Sequence, residues 1–296
     1  MGVLDGRVVI VTGAGRGAGE AYATLAAREG AAVVVNDVDG DAAHAVVDAI
    51  TSSGFEAVAH VADIGSWAAA DVLVSTTLDR FGQLDGLVNN AGLFHTAYAL
   101  DQDEESFRRL LDVNVIGLAA CGVHAMRHMV RQGSGSVVNV TSGSWTGMSG
   151  VSAYGASKGA VASLTYTWAL ELAGTGVRVN AISPLARTRM VEQMFDFHAD
   201  DPGWSKLNLD HLPPPAANAP TVVYLLSDLA NEVHGQIVRI NVGELALMSH
   251  PGAIDPFARG GAVSIEAVAD AFAGVLSDQL QPVGLHRTAY EPRKER

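Results

Sequence analysis

Tyr154 and Lys158 stand four residues apart in Tyr154-Gly-Ala-Ser-Lys158. On a helix that spacing puts both side chains on one face, one turn apart, so an ammonium can sit near a phenol. A free tyrosine titrates near pH ~10, and a nearby positive charge favours the phenolate. The sequence therefore predicts a lowered pKa for Tyr154, which would make it a usable general acid/base. Ser142 lies 12 residues upstream, in Val140-Thr141-Ser142-Gly143-Ser144.

A second group of residues points to a phosphate-bearing ligand. The run Thr12-Gly13-Ala14-Gly15-Arg16-Gly17-Ala18-Gly19 follows an apolar stretch and opens a segment rich in Ala and Leu. Glycines allow dihedrals and close approaches that a Cβ forbids, and a helix N-terminus offers free N–H groups to a pyrophosphate. Asp37, 18 residues past Gly19, falls where a carboxylate can accept hydrogen bonds from a ribose diol. That carboxylate repels a 2′-phosphate, which favours NAD over NADP. Arg16 is the counterweight, since a guanidinium in this loop can reach a 2′-phosphate.

These residues need a scaffold, and the chain supplies one by alternation. Apolar runs predict strands over Val8–Val11, Ala32–Asn36, Ala57–Val61, Gly86–Val88, Ser136–Val140, Val177–Ile182 and Ile237–Asn241. Amphipathic stretches between them predict helices near 17–29, 41–52, 66–81, 103–131, 152–173 and 217–227. Strand-helix alternation is the pattern of a parallel sheet. The expectation is a single α/β doubly wound Rossmann domain over residues 1–245, with a seven-stranded parallel sheet. Residues 246–296 form a C-terminal extension predicted to pack on the same domain and to serve the pocket or an oligomer contact. Within it Ile265, Val268, Phe272 and Leu276 recur at helical spacing after Ser264, a candidate N-cap. Pro202–Pro220, with Pro213, Pro214 and Pro215 in tandem, reads as an irregular excursion that can cover a site.

Composition narrows the partners. The chain has 296 residues, 48% of them hydrophobic, and a formal charge of −13. It thus has apolar material for a large core. A nucleic-acid backbone binder needs a basic face, and the one basic cluster is the tail Arg293, Lys294 and Arg296. No apolar run reaches the roughly 20 residues of a bilayer span, and no signal peptide is apparent. With one cysteine, Cys121, the reading is a cytoplasmic protein with neither nucleic acid nor membrane as partner.

In its Thr-Gly-x-x-x-Gly-x-Gly and Tyr-x-x-x-Lys motifs the sequence resembles the short-chain dehydrogenase/reductase family, over about residues 6–245. The resemblance implies a catalytic tetrad. Asn114, in Asp112-Val-Asn-Val115, matches an asparagine that holds a water against the lysine. Ser142 matches the hydroxyl that binds the substrate oxygen, and it is preferred over Ser144. Tyr154 matches the proton donor or acceptor, and Lys158 the residue that lowers its pKa and binds the nicotinamide ribose. It also implies cofactor contacts at Gly13, Arg16, Gly17, Ala18, Gly19 and Asp37, at Asp63 and Ile64 beside the adenine, and at Asn90 in Asn89-Asn-Ala-Gly92. The segment Asn180-Ala-Ile-Ser-Pro184 matches too, but Leu185 stands where the family usually has glycine. Thr188 comes four residues after Pro184 instead of five, and it is retained as a cofactor contact.

Other residues read more plainly. His124 and His128 lie at helical spacing without a third ligand in register and are expected on a solvated helix face, so no metal site is predicted. His95 follows the Asn-Asn-Ala-Gly turn and is expected either near the substrate or exposed. Trp145, Met148, Met190, Phe195 and Phe197 are expected on loops over the active site, which suggests an apolar alcohol or ketone. The resemblance implies an NAD-dependent alcohol dehydrogenase or ketone reductase assembled as a homotetramer or homodimer. The alternatives are a β-ketoacyl thioester reductase and a catalytically silent dinucleotide sensor.

Overall fold

In a computed structural model, the structure describes residues 2–200, 209–241 and 243–252, with isolated positions at 265, 268–269, 273–274 and 276. The chain divides into two compact units, Met1–Met248 and Ser249–Arg296. Of the apolar stripe, Ser264 and Phe272 lie outside the described residues, while Ile265 and Val268 are helical and exposed, Ile265 at 86%.

The first unit is an α/β fold around one sheet. Strands β1 (Val8–Thr12), β2 (Ala32–Asp37), β3 (Ala57–Val61), β4 (Gly86–Asn89), β5 (Gly135–Val140), β6 (Val177–Pro184), β7 (Ile237–Asn241) and β8 (Glu244–Leu247) lie in the order β3-β2-β1-β4-β5-β6-β7-β8. The predicted seven-stranded sheet is thus eight-stranded. β8 pairs antiparallel with β7, while the other pairings are parallel. All four residues of β8 are exposed, so it adds backbone hydrogen bonds at the sheet edge while its apolar Leu245 and Leu247 stay largely in solvent. β1, β4 and β5 are buried at every position. Continuous burial is what a sheet covered on both faces requires.

Helices α1 (Gly17–Arg28), α2 (Gly40–Ser52), α3 (Trp67–Phe81), α4 (Glu104–Leu111), α5 (Leu118–Gln132), α6 (Ser152–Glu171), α7 (Arg189–Phe197) and α8 (Ala219–Leu226) connect the strands. Val9, Val33, Val35 and Val138 pack with Tyr22, Val46, Ile50 and Leu225 of α1, α2 and α8. Ile10, Val34, Leu87 and Val137 pack with Leu73, Leu118, Met129 and Trp168 of α3, α5 and α6. The sheet is therefore the middle of three layers. The span Glu104–Gln132 is long and apolar enough to cross a membrane, but 56% of its most apolar window is buried inside the fold, which makes it a core helix.

Sheet order changes direction between β1, which continues to β2, and β4, which lies on its other side. At such a switch point the loops leaving the carboxyl ends of the strands part and open a crevice. The glycine loop leaves β1 there, Asn89–Gly92 leaves β4, and Ser142 follows β5.

Candidate active site

The glycine loop is tight because its backbone is held at several points. Gly13 has φ +61°, and a Cβ on it would stand 2.7 Å from Ala91 Cα. Gly19 is closer still, since a Cβ there would lie 2.6 Å from Asn90 Nδ2. Asn90 braces the loop by donating from Nδ2 to the carbonyls of Thr12 (3.0 Å) and Gly13 (2.9 Å). Thr12 Oγ1 in turn accepts the N–H groups of Asn90 and Ala91, both at 3.1 Å. Arg16 stands at the N-cap of α1 and makes no side-chain cap hydrogen bond. The first-turn N–H groups at Gly17, Ala18 and Gly19, which no intrahelical carbonyl can satisfy, are therefore left to a ligand. This donor set fits a pyrophosphate.

At the end of β2, Asp37 accepts the N–H of Gly15 on Oδ2 (2.8 Å) and that of Asp39 on Oδ1 (3.0 Å). Its half-buried carboxylate closes the side of the glycine loop. Asp63, after β3, accepts Gly65 N–H at 2.8 Å and the Arg109 guanidinium at 2.6 Å. The backbone bond and then the guanidinium hold its carboxyl below the usual range. Ile64 is buried in the core beneath the loop, and its carbonyl packs against Gly117, where a Cβ would come within 2.6 Å of it.

Asn114 sits in a π-helical turn, Asp112–Gly117, inserted between α4 and α5. One extra residue per turn swings its side chain out of the helical ladder, a device frequent at functional sites. Fully buried, it clamps Leu93 at both backbone groups, with Oδ1 accepting N–H at 2.7 Å and Nδ2 donating to the carbonyl at 2.9 Å. Nδ2 also donates to Ser157 Oγ at 3.1 Å, and that hydroxyl donates to the Tyr154 carbonyl at 2.7 Å. Gly92 passes close by, since a Cβ on it would lie 3.3 Å from Asn114 Oδ1 and 3.7 Å from Lys158 Nζ. Replacing Asn114 by leucine strands the part-buried Leu93 N–H and C=O, and a group left unpaired in this way costs at most about 1–3 kcal/mol. Urea denaturation should show a loss on the order of 2–3 kcal/mol; an unchanged midpoint would contradict the clamp.

α6 carries Tyr154 and Lys158 on one face. Thr141 Oγ1 donates to the Lys158 carbonyl (2.8 Å), pinning the end of β5 to α6. The Ser142 hydroxyl stands near the Tyr154 phenol and favours its ionised form, and its Oγ accepts Ser144 N–H at 3.3 Å. The Ser144 hydroxyl is buried without a hydrogen-bond partner. Phe94 meets the Tyr154 ring edge to face at 4.9 Å. Lys158 Nζ lies 5.6 Å from the phenol ring centre and donates to the Val140 carbonyl at 2.7 Å.

The electrostatics differ from the sequence expectation. Burial pushes the Tyr154 phenol up to about 12, opposed by the nearby Ser142 hydroxyl. Burial likewise pushes Lys158 down to about 8. Desolvation disfavours both charged forms, and the ammonium is spent on a carbonyl, so the amine does not make the phenol acidic in the unliganded protein. Helical spacing reports that two side chains share a face, not how much water they lose.

Several peripheral expectations are also corrected. Met190, Phe195 and Phe197 lie on α7 and not on loops; Thr188 is its N-cap, its Oγ1 accepting Val191 N–H at 3.4 Å. α7 has no fully buried residue, although Met190, Val191, Met194 and Phe195 recur at helical spacing along one half-buried side. Phe197 fits against Gly150, where a Cβ would come within 2.5 Å of its ring, and stacks on Tyr98 at 4.8 Å. His124 is not on a solvated face: it is 12% exposed and its Nδ1 lies 2.9 Å from Asp71 of α3. His128 Nε2 meets Gln132 at 3.0 Å. His95 lies 3.8 Å from Asp103, the N-cap of α4. Among the described residues no cluster of three His, Cys, Asp or Glu could hold a metal. Sequence reasoning missed Phe94, the Val140 carbonyl and the Asn114 clamp on Leu93, because each depends on contacts between segments far apart in the chain.

Comparisons with known proteins agree with this arrangement. The model of the short chain dehydrogenase family matches residues 7–198. Cis-4-hydroxycyclohexanecarboxylate dehydrogenase of Sinomonas cyclohexanicum is 37% identical, over 81% of this chain and 97% of that one. The (2S)-[(R)-hydroxy(phenyl)methyl]succinyl-CoA dehydrogenase subunit BbsD of Thauera aromatica is 34% identical, over 80% of this chain and 96% of its own. The crystal structure of a short chain dehydrogenase from Mycobacterium avium superposes with a TM-score of 0.76 at 37% identity, covering 92% of this chain and 96% of that one. A Rossmann-type sheet, a braced glycine loop and a Tyr-Lys pair at the carboxyl ends of its strands thus go with a family match over most of the domain, and the chain belongs to the short-chain dehydrogenase/reductase family of oxidoreductases, which bind a nicotinamide dinucleotide.

Proposed function

We propose that this protein is a cytoplasmic NAD-dependent dehydrogenase that interconverts a secondary alcohol and its ketone. When bound, the nicotinamide supplies the hydride acceptor or donor; the protein supplies position and charge. Tyr154 takes the hydroxyl proton as the alcohol is oxidised and returns it in reduction. Ser142, whose hydroxyl stands near that phenol, orients the substrate oxygen. Lys158 places a positive charge behind the phenol and binds the nicotinamide ribose. Asn114 acts as a positioning residue through Leu93 and Ser157. The observation that carries the reading is the meeting of two hydroxyls, Tyr154 and Ser142, one helical turn from a buried amine and at the same strand ends as an uncapped glycine loop.

Asp37 supports NAD, because its carboxylate occupies the edge where a 2′-phosphate would fall. Phe94, on the Tyr154 ring, and the half-buried Met190 and Phe197 support a small apolar substrate. Cis-4-hydroxycyclohexanecarboxylate carries its alcohol on a hydrocarbon ring, in keeping with such a pocket. A hydroxyl on a CoA thioester is the second reading, favoured by the relative from Thauera aromatica. Leu170 of α6, Ile116 of the π-helical turn and Val130 of α5 are exposed apolar residues, and they support a homodimer or homotetramer. Turnover with NAD and then NADP over cyclic secondary alcohols and hydroxyacyl thioesters tests the proposal. NADH formation from a cyclic alcohol is expected; NADPH formation alone would reverse the cofactor assignment.

A further inference from the structure

A second acid stands beside Asp37. Asp39 caps α2, its Oδ1 accepting Ala42 N–H at 3.1 Å, and its Oδ2 takes the guanidinium of Arg16 from the glycine loop. Asp37 bonds the backbone next to both partners, at Gly15 N–H and at Asp39 N–H. The ion pair therefore runs alongside the carboxylate that the dinucleotide reading sets against the ribose diol. An arginine in this loop would ordinarily offer a fork of donors to a 2′-phosphate. Here the fork is engaged, and Arg16, Asp37 and Asp39 together carry one net negative charge.

We propose that Asp39 is a specificity-determining residue, which excludes the 2′-phosphorylated dinucleotide by holding Arg16 in an ion pair. The inference rests on the dinucleotide reading of the loop and adds a determinant to Asp37. The pair is about two-fifths exposed on each side, and such pairs add little to stability, so breaking it leaves the fold intact. A phosphate next to it carries up to two charges and competes with Asp39 for the same donors. Asp39→Asn keeps a side-chain oxygen for the cap of α2, where Asn and Asp serve about equally, and removes the charge that retains Arg16.

The test is calorimetric titration with 5′-AMP and 2′,5′-ADP, which reports binding without turnover. In Asp39→Asn, 2′,5′-ADP affinity should rise about tenfold, the worth of one charge-assisted hydrogen bond, with 5′-AMP affinity nearly unchanged. In Asp39→Asn combined with Arg16→Met the gain should vanish. A gain that persists without Arg16, or no gain in the single variant, would overturn the role of Asp39. A native protein that already binds 2′,5′-ADP more tightly than 5′-AMP would instead sink the NAD assignment, and failure to bind either nucleotide would sink the dinucleotide reading itself.

Discussion

Tyr154→Phe lowers turnover by about 10²–10⁴-fold, the usual worth of a positioned general acid/base, and leaves dinucleotide affinity nearly intact. The phenylalanine ring keeps the edge-to-face contact with Phe94, so the fold and the pocket wall survive. Only the hydroxyl that exchanges the proton is gone. Steady-state rates together with quenching of intrinsic fluorescence by NADH separate the two effects. A variant that retains most of its activity would remove Tyr154 from the mechanism; one that loses binding and rate in equal measure would make it a structural residue.

Lys158→Met should abolish turnover and also reshape stability against pH. Burial holds Lys158 at about 8 in the folded protein, against its ordinary 10.5. Below pH 8 both folded and unfolded chains carry the proton, and the folded state bears the full cost of a buried ammonium. Between about 8 and 10.5 the folded chain has released a proton that the unfolded chain keeps, so stability rises with pH. The span corresponds to about 3 kcal/mol. Tyr154 acts in the opposite direction: its folded pKa is raised from 10.0 to about 12, so stability falls as pH climbs through that interval. Guanidinium unfolding of the unliganded protein at stepped pH should show the rise from pH 8, and the methionine variant should lack it. Parallel curves for the two proteins would mean that Lys158 is neutral or solvated in both states.

What the sequence discloses is what local chemistry enforces. Val8–Thr12 and Gly135–Val140 are buried on both faces, so their apolar runs are continuous and legible, and the strand-loop-helix placement of Gly13 to Gly19 follows from them. Spacing alone puts Tyr154 and Lys158 on one face of α6. Burial is harder to read. The same amine that a linear sequence sets beside a phenol is directed by the fold onto the Val140 carbonyl, and desolvation then dominates both pKa values. The π-helical turn at Asn114 is invisible in a helical pattern that continues unbroken from α4 into α5. β8 escapes because all four of its residues are exposed, whereas α7 carries apolar residues at helical spacing, Met190, Val191, Met194 and Phe195, that its sequence could have disclosed. Asp39 carries no motif of its own in the sequence, and its hold on Arg16 exists only once β2 lies beside β1.

The proposed chemistry requires a phenol that titrates high when unliganded and ionises more readily beside a positively charged nicotinamide, because an added positive charge favours the phenolate. Tyrosinate absorbance in the near ultraviolet, titrated with and without saturating NAD⁺ and with Tyr154→Phe as the reference, measures this directly. One tyrosine should move down from about 12 on adding NAD⁺, and the moving component should be missing from the variant. An unaltered titration, or the same movement in Tyr154→Phe, would contradict the account.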